Sequence, residues 1–312
     1  MAYILLVVGF ILLIKGADFF VDGSSSIAKV LGVPSLIIGL TIVAFGTSAP
    51  EASVSISAAL HNSNEIAIGN VVGSNICNLL LVLGVSSIFG EITTSRKVVY
   101  KDYLYSILAS LVLCALVIVP FMNKAKSVNI GFKGGIVLLI LLAIYLIMLL
   151  KEGLSKEKLT KNKEKFKIKY ILFFVVGLIG VIFGGNVVVE NATKIAQDLG
   201  LSEHFIGLTV IAIGTSLPEL VTSVVAAKKG EDDIAIGNVI GSNIFNILFI
   251  LGASAAISPL TMSLSVFKAL IFLIIVNILV FFVLRSKYSL VRREGIIMFI
   301  LYILYTVYLI YN

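Results

Sequence analysis

The hydrophobic pattern of this chain consists of long apolar runs separated by short polar intervals. Each run is about 20 residues or longer, enough for a helix to cross a bilayer core of about 30 Å. The period-two alternation typical of membrane barrel strands is not found in these runs. The pattern therefore predicts ten membrane helices, at residues 1–22, 34–60, 65–89, 103–121, 132–150, 170–190, 203–227, 232–256, 264–284 and 295–311.

The composition supports a membrane protein. The chain is 59% hydrophobic and 13% charged, with a mean hydropathy of +1.11, so its polar surface is too small to cover a water-soluble globule. The first run has no basic start and no small-residue cleavage pattern, and we interpret it as a retained helix. We therefore expect an all-α integral membrane protein with the lipid bilayer as its partner, without nucleic acid and without an obligate protein partner.

A lysine-rich interval at residues 151–169 divides the chain into two sets of five predicted helices, 1–150 and 170–312. It carries eight lysines against three glutamates, and short basic loops are retained in the cytoplasm. Both termini are then predicted to lie outside a cell (inner) membrane. This orientation places 18 basic residues inside and five outside, with Lys15 unassigned within the first span.

The two halves share a repeat. Residues 38–84 and 206–252 align without a gap, with 27 of 47 positions identical. Because each half has an odd number of predicted spans, the two copies must be inverted relative to each other in the membrane. Inverted repeats are typical of secondary transporters, whose sites form near the midplane where broken helices meet. The chain is thus predicted to be a transporter and not an enzyme.

Each repeat begins with a GTSxPE motif inside an apolar run. Proline removes a backbone donor, so Pro50 and Pro218 free carbonyl groups one turn earlier in the helix. A carboxylate deep in a membrane span is costly and by default functional, which marks Glu51 and Glu219. Neighbouring hydroxyls stand at the same spacing in both motifs, at Thr47, Ser48, Thr215 and Ser216.

The second part of each repeat reads GNxxGSNxxN. It places Ser74 and Asn78 on one helix face, and Ser242 and Asn246 on the equivalent face. Together with GTSxPE this supplies only oxygen ligands, the set preferred by hard cations such as Ca²⁺ or Na⁺. The glycines of this motif, at Gly69-x3-Gly73 and Gly237-x3-Gly241, are expected instead to allow close helix packing.

The two motifs, present twice, resemble the α-repeats of the cation/calcium exchanger superfamily, in its prokaryotic sodium/calcium exchanger-like branch. The resemblance implies alternating-access antiport of Ca²⁺ against Na⁺, with no cofactor, and cation sites between the second, third, seventh and eighth spans. It implies that Glu51 and Glu219 hold Ca²⁺ with the carbonyls of Thr47 and Thr215. Flanking Na⁺ sites would then be formed by Ala44, Thr47, Ser48 and Ser74, and by Ala212, Thr215, Ser216 and Ser242.

Asn78 and Asn246 would line the middle of the site, where part of the family has an aspartate. With only two carboxylates, one Ca²⁺ neutralises the site and three Na⁺ exceed its charge, so electrogenic exchange is expected. Coupling to H⁺ or K⁺ is the alternative within the superfamily, and a passive cation channel is a more remote one. Intramembrane hydrolysis would need a paired-aspartate, HExxH or Ser/His arrangement, and the sequence has none.

Overall fold

A computed structural model describes residues 1–61, 63–122, 127–153, 166–200 and 212–311 of the chain. The helices of the first half are α1 (Ala2–Leu31), α2 (Ser35–Thr47), α3 (Ala49–Leu60), α4 (Asn64–Phe89), α5 (Leu104–Met122) and α6 (Phe132–Gly153). Those of the second half are α7 (Ile168–Asp198), α8 (Ala212–Thr215), α9 (Leu217–Lys228), α10 (Asp232–Ile257), α11 (Leu264–Lys287) and α12 (Arg292–Tyr311).

The apolar helices agree with the predicted all-α membrane fold. Among the described residues seven helices are long and apolar enough to cross a membrane, and an eighth span results if α2 and α3 are one bent span. The predicted span 203–227 lies partly outside the described residues, as do positions 154–165 of the linker. The count of ten spans therefore stays a prediction, as do the domain boundaries.

The first helix of each half packs against the other along glycines. A Cβ atom added to Gly16 of α1 would lie 2.6 Å from the backbone of Gly180 and Val181 in α7. Such an approach is open only to glycine, and it lets two membrane helices meet backbone to backbone. Both helices extend beyond their predicted spans, to Leu31 and to Asp198.

Two short antiparallel strand pairs join the halves outside the helices. Strand β1 (Ile92–Thr93) pairs with β4 (Ser289–Leu290), and β2 (Ser127–Ile130) pairs with β3 (Leu260–Ser263). Each pair contains one strand from each half of the chain. The strands were not predicted, because two to four residues give too short a pattern to read.

Further polar contacts tie the two halves together beside these strands. The ammonium group of Lys229 lies 2.8 Å from Oδ1 of Asp22 in α1, and the hydroxyl of Ser25 donates a 2.6 Å hydrogen bond to Glu231. Asp232 accepts a 2.6 Å hydrogen bond from the hydroxyl of Thr93. The loop between α9 and α10 is therefore held against the first half.

Candidate cation site

Both GTSxPE motifs break their helices at the serine. α2 ends at Thr47 and α3 starts at Ala49, with a bend of 50° between them. Ser48 takes φ −79° and ψ 7°, and Ser216 takes the nearly identical values φ −89° and ψ 7° between α8 and α9. The proline of each motif lies in the first turn after the break, where its missing N–H costs no hydrogen bond. Sequence and structure agree on these breaks.

The two carboxylates lie in the first turn of the helices that follow the breaks. Glu51 and Glu219 have no exposed surface at all. The amino-terminal end of a helix carries a partial positive charge, which stabilises a carboxylate placed there. A fully buried carboxylate is costly without a compensating charge, so a cation bound beside these two groups would stabilise both.

Serines from both repeats surround each carboxylate. Oε1 of Glu219 accepts hydrogen bonds from Ser48 at 2.8 Å and from Ser242 at 3.4 Å. Oε1 of Glu51 accepts in the same way from Ser216 at 3.1 Å and from Ser74 at 3.4 Å. Each carboxylate therefore binds one hydroxyl of its own repeat and one of the opposite repeat. The inverted arrangement places the two motifs face to face.

The flanking groups differ from the expected ones in one respect. The resemblance placed the carbonyl of Ala44 with Ser74, but the hydroxyl of Ser242 lies 3.4 Å from that carbonyl oxygen. The reason is the face-to-face packing of the repeats, which brings the serine of α10 to the end of α2. Each flank is thus built from both halves of the chain. Ala212 is the first residue of α8, next to positions outside the described residues.

Two pairs of asparagines link α4 to α10. Asn78 donates from Nδ2 to Oδ1 of Asn243 at 3.1 Å, and Asn246 donates to Oδ1 of Asn75 at 3.0 Å. The side-chain nitrogens of Asn78 and Asn246 therefore both bind the opposite helix. Their side-chain oxygens remain available to face the site. Asn78 and Asn246 also begin π-helical turns, at Asn78–Val82 and Asn246–Leu251, a distortion frequent at functional sites.

Within the part of the chain that the structure describes, five buried oxygen atoms in these motifs have no hydrogen-bond partner. A buried polar atom without a partner costs about 1–3 kcal/mol, and native proteins seldom leave several together. Four of the five can only accept, so hydrogen-bond donors or a cation must satisfy them. The atoms are Oε2 of Glu51, Oε2 of Glu219, Oδ1 of Asn78, Oδ1 of Asn246 and Oγ1 of Thr215.

Residues outside the predicted set also belong to this network. Asn70 and Asn238, the asparagines of the GN pairs, bind the backbone carbonyls of Glu51 and Glu219, each at 3.4 Å. Together with Asn75 and Asn243 they were read as part of the motif but were given no role. The available signal was that these asparagines are the same in both repeats, whereas other positions of the repeat differ between the two copies.

The glycine prediction is confirmed for the second repeat, at Gly237 and Gly241. A Cβ atom at Gly241 would lie 2.6 Å from Cβ of Ala44 and 2.7 Å from the carbonyl of Leu40, as close packing requires. Among the described residues, the same atom at Gly73 would meet nothing within 4 Å, and at Gly69 only a valine methyl at 3.9 Å. These two glycines line a cavity of about 80 Å³. Leu208, the repeat equivalent of Leu40, lies outside the described residues, so the packing prediction for Gly69 and Gly73 stays a prediction.

The broken helices, the face-to-face repeats and the all-oxygen site define a membrane transporter of cations. The family model described as "Sodium/calcium exchanger protein" matches residues 1–151 and 169–311, which flank the basic linker. The chain belongs to this family, and the resemblance found in the sequence is confirmed.

Curated relatives and solved structures agree. The chain is 34% identical to a sodium/calcium exchanger of Methanosarcina acetivorans, over 95% of each chain. It is 37% identical to the inner membrane protein YrbG of Escherichia coli K12, over 83% of this chain and 81% of the relative. A structure of the sodium-calcium exchanger NCX_Mj superimposes with a TM-score of 0.82 at 35% identity, covering 97% of this chain and 96% of that one.

Proposed function

We propose that the protein is a secondary antiporter that exchanges Ca²⁺ for Na⁺ across the membrane by alternating access. The observation that carries the proposal is the set of five unpartnered buried oxygens, which includes one oxygen of each glutamate. Two carboxylates supply two negative charges, which match one Ca²⁺, and the amide and hydroxyl oxygens add neutral ligands. Family membership and the two sodium/calcium exchangers among the relatives point to the same pair of ions.

Glu51 and Glu219 are proposed to hold Ca²⁺ between them, with the carbonyl groups of Thr47 and Thr215. Asn78 and Asn246 complete the middle of the site through their side-chain oxygens. Na⁺ would bind at the two flanks, where the carbonyl of Ala44 lies beside Ser242. The flank near Glu219 then contains Ala44, Thr47, Ser48 and Ser242, and the one near Glu51 contains Ala212, Thr215, Ser216 and Ser74.

Competition between the ions follows from shared carboxylates. Ca²⁺ needs both glutamates at once, while each Na⁺ takes one of them together with hydroxyl and carbonyl oxygens. Since the same charges cannot serve both sets, binding of Na⁺ displaces Ca²⁺. The site has two carboxylates, so three Na⁺ carry one charge more than the site compensates, and exchange at that ratio moves net charge across the membrane.

We place the protein in the cell (inner) membrane with the 151–169 linker in the cytoplasm and both termini outside. The strand pairs support the order of spans in this topology, because two hydrogen-bonded strands lie on the same side of the membrane; the assignment of the two sides rests on the basic linker. The number of spans between β1 and β4 must be even, and the predicted topology gives six. It gives four between β2 and β3. The contact of Lys229 with Asp22 likewise joins two segments that are both predicted to be cytoplasmic.

The test is uptake of radiolabelled Ca²⁺ into proteoliposomes that contain the purified protein. Separate vesicles carry an outward Na⁺ gradient, an outward K⁺ gradient, a pH gradient or no gradient. Uptake driven by the Na⁺ gradient alone, and altered by an imposed membrane potential, is expected. Uptake driven by the pH gradient without Na⁺ would assign the chain to H⁺ coupling, and uptake without any gradient would indicate a passive channel.

A further inference from the structure

The two asparagines of the GN pairs have equivalent partners within their own repeats. Nδ2 of Asn70 donates to the hydroxyl of Ser55 at 3.0 Å as well as to the carbonyl of Glu51. Nδ2 of Asn238 donates to the hydroxyl of Ser223 at 2.9 Å, in addition to its bond to the carbonyl of the second glutamate. A carbonyl can only accept, so these bonds fix which end of each amide is the nitrogen.

The side-chain oxygens of these two asparagines differ in their partners. Oδ1 of Asn238 accepts a 2.9 Å hydrogen bond from the hydroxyl of Thr47, which ties α10 of the second repeat to α2 of the first. The equivalent donor for Asn70 would be the hydroxyl of Thr215. That hydroxyl is buried and has no hydrogen-bond partner among the described residues. One inter-repeat bond is therefore formed and its counterpart is not.

The surroundings of Asn238 and Asn70 differ in the same way as their hydrogen bonds. Asn238 is completely buried, and Gly241 beside it is closed off by Ala44 and Leu40. Asn70 is partly exposed and lines the cavity of about 80 Å³, together with Gly73 and Ser74 of its own helix and Tyr302 of α12. Among the described residues, the flank with the bond is closed, and the flank without it is open to this cavity.

We propose that Asn238 and Asn70 are positioning residues, and that each forms its hydrogen bond to the opposite repeat in only one of the two transport states. In the state shown, Thr47 binds Asn238. In the opposite-facing state Thr215 binds Asn70, and the bond of Thr47 is broken. Alternating access in inverted-repeat transporters moves one repeat against the other around a fixed site. Because the two repeats here carry equivalent residues, the contact that Thr47 and Asn238 form in one state can form between Thr215 and Asn70 in the other.

This inference rests on the proposed alternating access, and it adds the residues that mark each state. Neither asparagine oxygen is needed as an ion ligand in this role. Each bond stabilises one state and is absent from the other, so its removal shifts the balance between states. A single hydrogen bond of ordinary strength changes such an equilibrium about fivefold.

Gly73→Cys provides a reporter of the open flank, because a side chain there meets no atom within 4 Å. It is placed in a chain with Cys77 and Cys114 replaced by alanine, and its labelling by a small thiol reagent is timed without Na⁺ or Ca²⁺. Thr47→Val removes the bond of the state shown and should slow labelling. Thr215→Val removes the bond of the opposite state and should speed it. The ratio of the two rates is expected to be about fivefold or more.

Two variants separate this role from a general structural one. Thr47→Ser keeps the hydroxyl and should restore the labelling rate of the unmodified reporter. Thr222→Val removes a buried hydroxyl that has no partner, at a position where the first repeat has Val54, and should leave the rate unchanged.

Equal rates in Thr47→Val and Thr215→Val, or a shift of both in the same direction, would overturn the exchange of bonds. If Thr47→Val does not insert, faster labelling in Thr215→Val supports the proposal and an unchanged rate contradicts it. Because labelling is measured without transported ions, this outcome is independent of whether Na⁺ drives Ca²⁺ uptake in the natural protein.

Discussion

Ser48 of the first repeat donates a 2.8 Å hydrogen bond to Oε1 of Glu219 in the second repeat. This bond leaves Oε2 of the same carboxylate buried without a partner. One oxygen of the glutamate is therefore fixed by the protein, and the other is available to a cation. The equivalent bond from Ser216 fixes Oε1 of Glu51 in the same way and leaves its Oε2 available to a cation.

Replacement of Glu51 by glutamine is expected to abolish Na⁺-driven Ca²⁺ uptake in proteoliposomes. The change keeps the size of the side chain but removes half of the charge that balances Ca²⁺ in a poorly solvated site, where compensation is worth several kcal/mol. Glu65→Gln, at an exposed position, is the matched control and should transport normally. Full uptake by Glu51→Gln would remove this glutamate from the ion site.

Asn246→Asp is expected to make Ca²⁺ uptake more steeply dependent on pH between about pH 6 and 8. A third carboxylate beside two others favours binding of a proton, which must leave before Ca²⁺ can be held. Asn64→Asp adds the same charge at the first residue of α4, where the second repeat naturally has Asp232, and should keep the natural pH profile. Parallel profiles for all three proteins would mean that position 246 does not face the ion cluster.

The glycine pairs give a prediction from geometry alone. Gly241→Ala forces a methyl group to within 2.6 Å of Ala44, and overpacking of this kind costs about 1–3 kcal/mol. Gly73→Ala fills open space and should be tolerated. Thermal unfolding of the two purified variants is the measurement. A lower melting temperature for Gly73→Ala than for Gly241→Ala would contradict the packing described for these helices.

The predicted orientation can be checked on whole cells with single cysteines in a cysteine-free chain. Asn129→Cys in β2 should react with an impermeant thiol reagent, and Arg96→Cys near β1 should not, since both positions are exposed but lie on opposite sides of the membrane. A permeant reagent must label both. Reaction of position 96 from outside would reverse the assigned topology.

The sequence was sufficient to predict the fold and the repeat, because both depend on strong local signals. Twenty-residue apolar runs can hardly be anything but membrane helices, and the two copies of GTSxPE align without a gap. The glutamates, serines and asparagines predicted for the site are found in one hydrogen-bonded network. Their roles as ion ligands remain predictions.

The contacts between repeats could not be read from the sequence. Gly73 and Gly241 occupy identical motifs, but among the described residues one faces a cavity and the other a helix, because different spans pack against them. The bond between Ser242 and Ala44 was missed for a related reason. A motif shows which functional groups its own repeat contributes. Only the packed structure shows which residues of the other repeat lie against them.

The strand pairs have a consequence for how the chain is made. β1 and β2 are synthesised with the first half, but β4 and β3 follow only after most of the second half has been translated. Until then the first half enters the membrane with two strands whose backbone groups lack their final partners. Pairing of these strands should therefore be a late event in biosynthesis, and a chain that ends before β3 contains every predicted site residue up to Asn246 but neither strand pair.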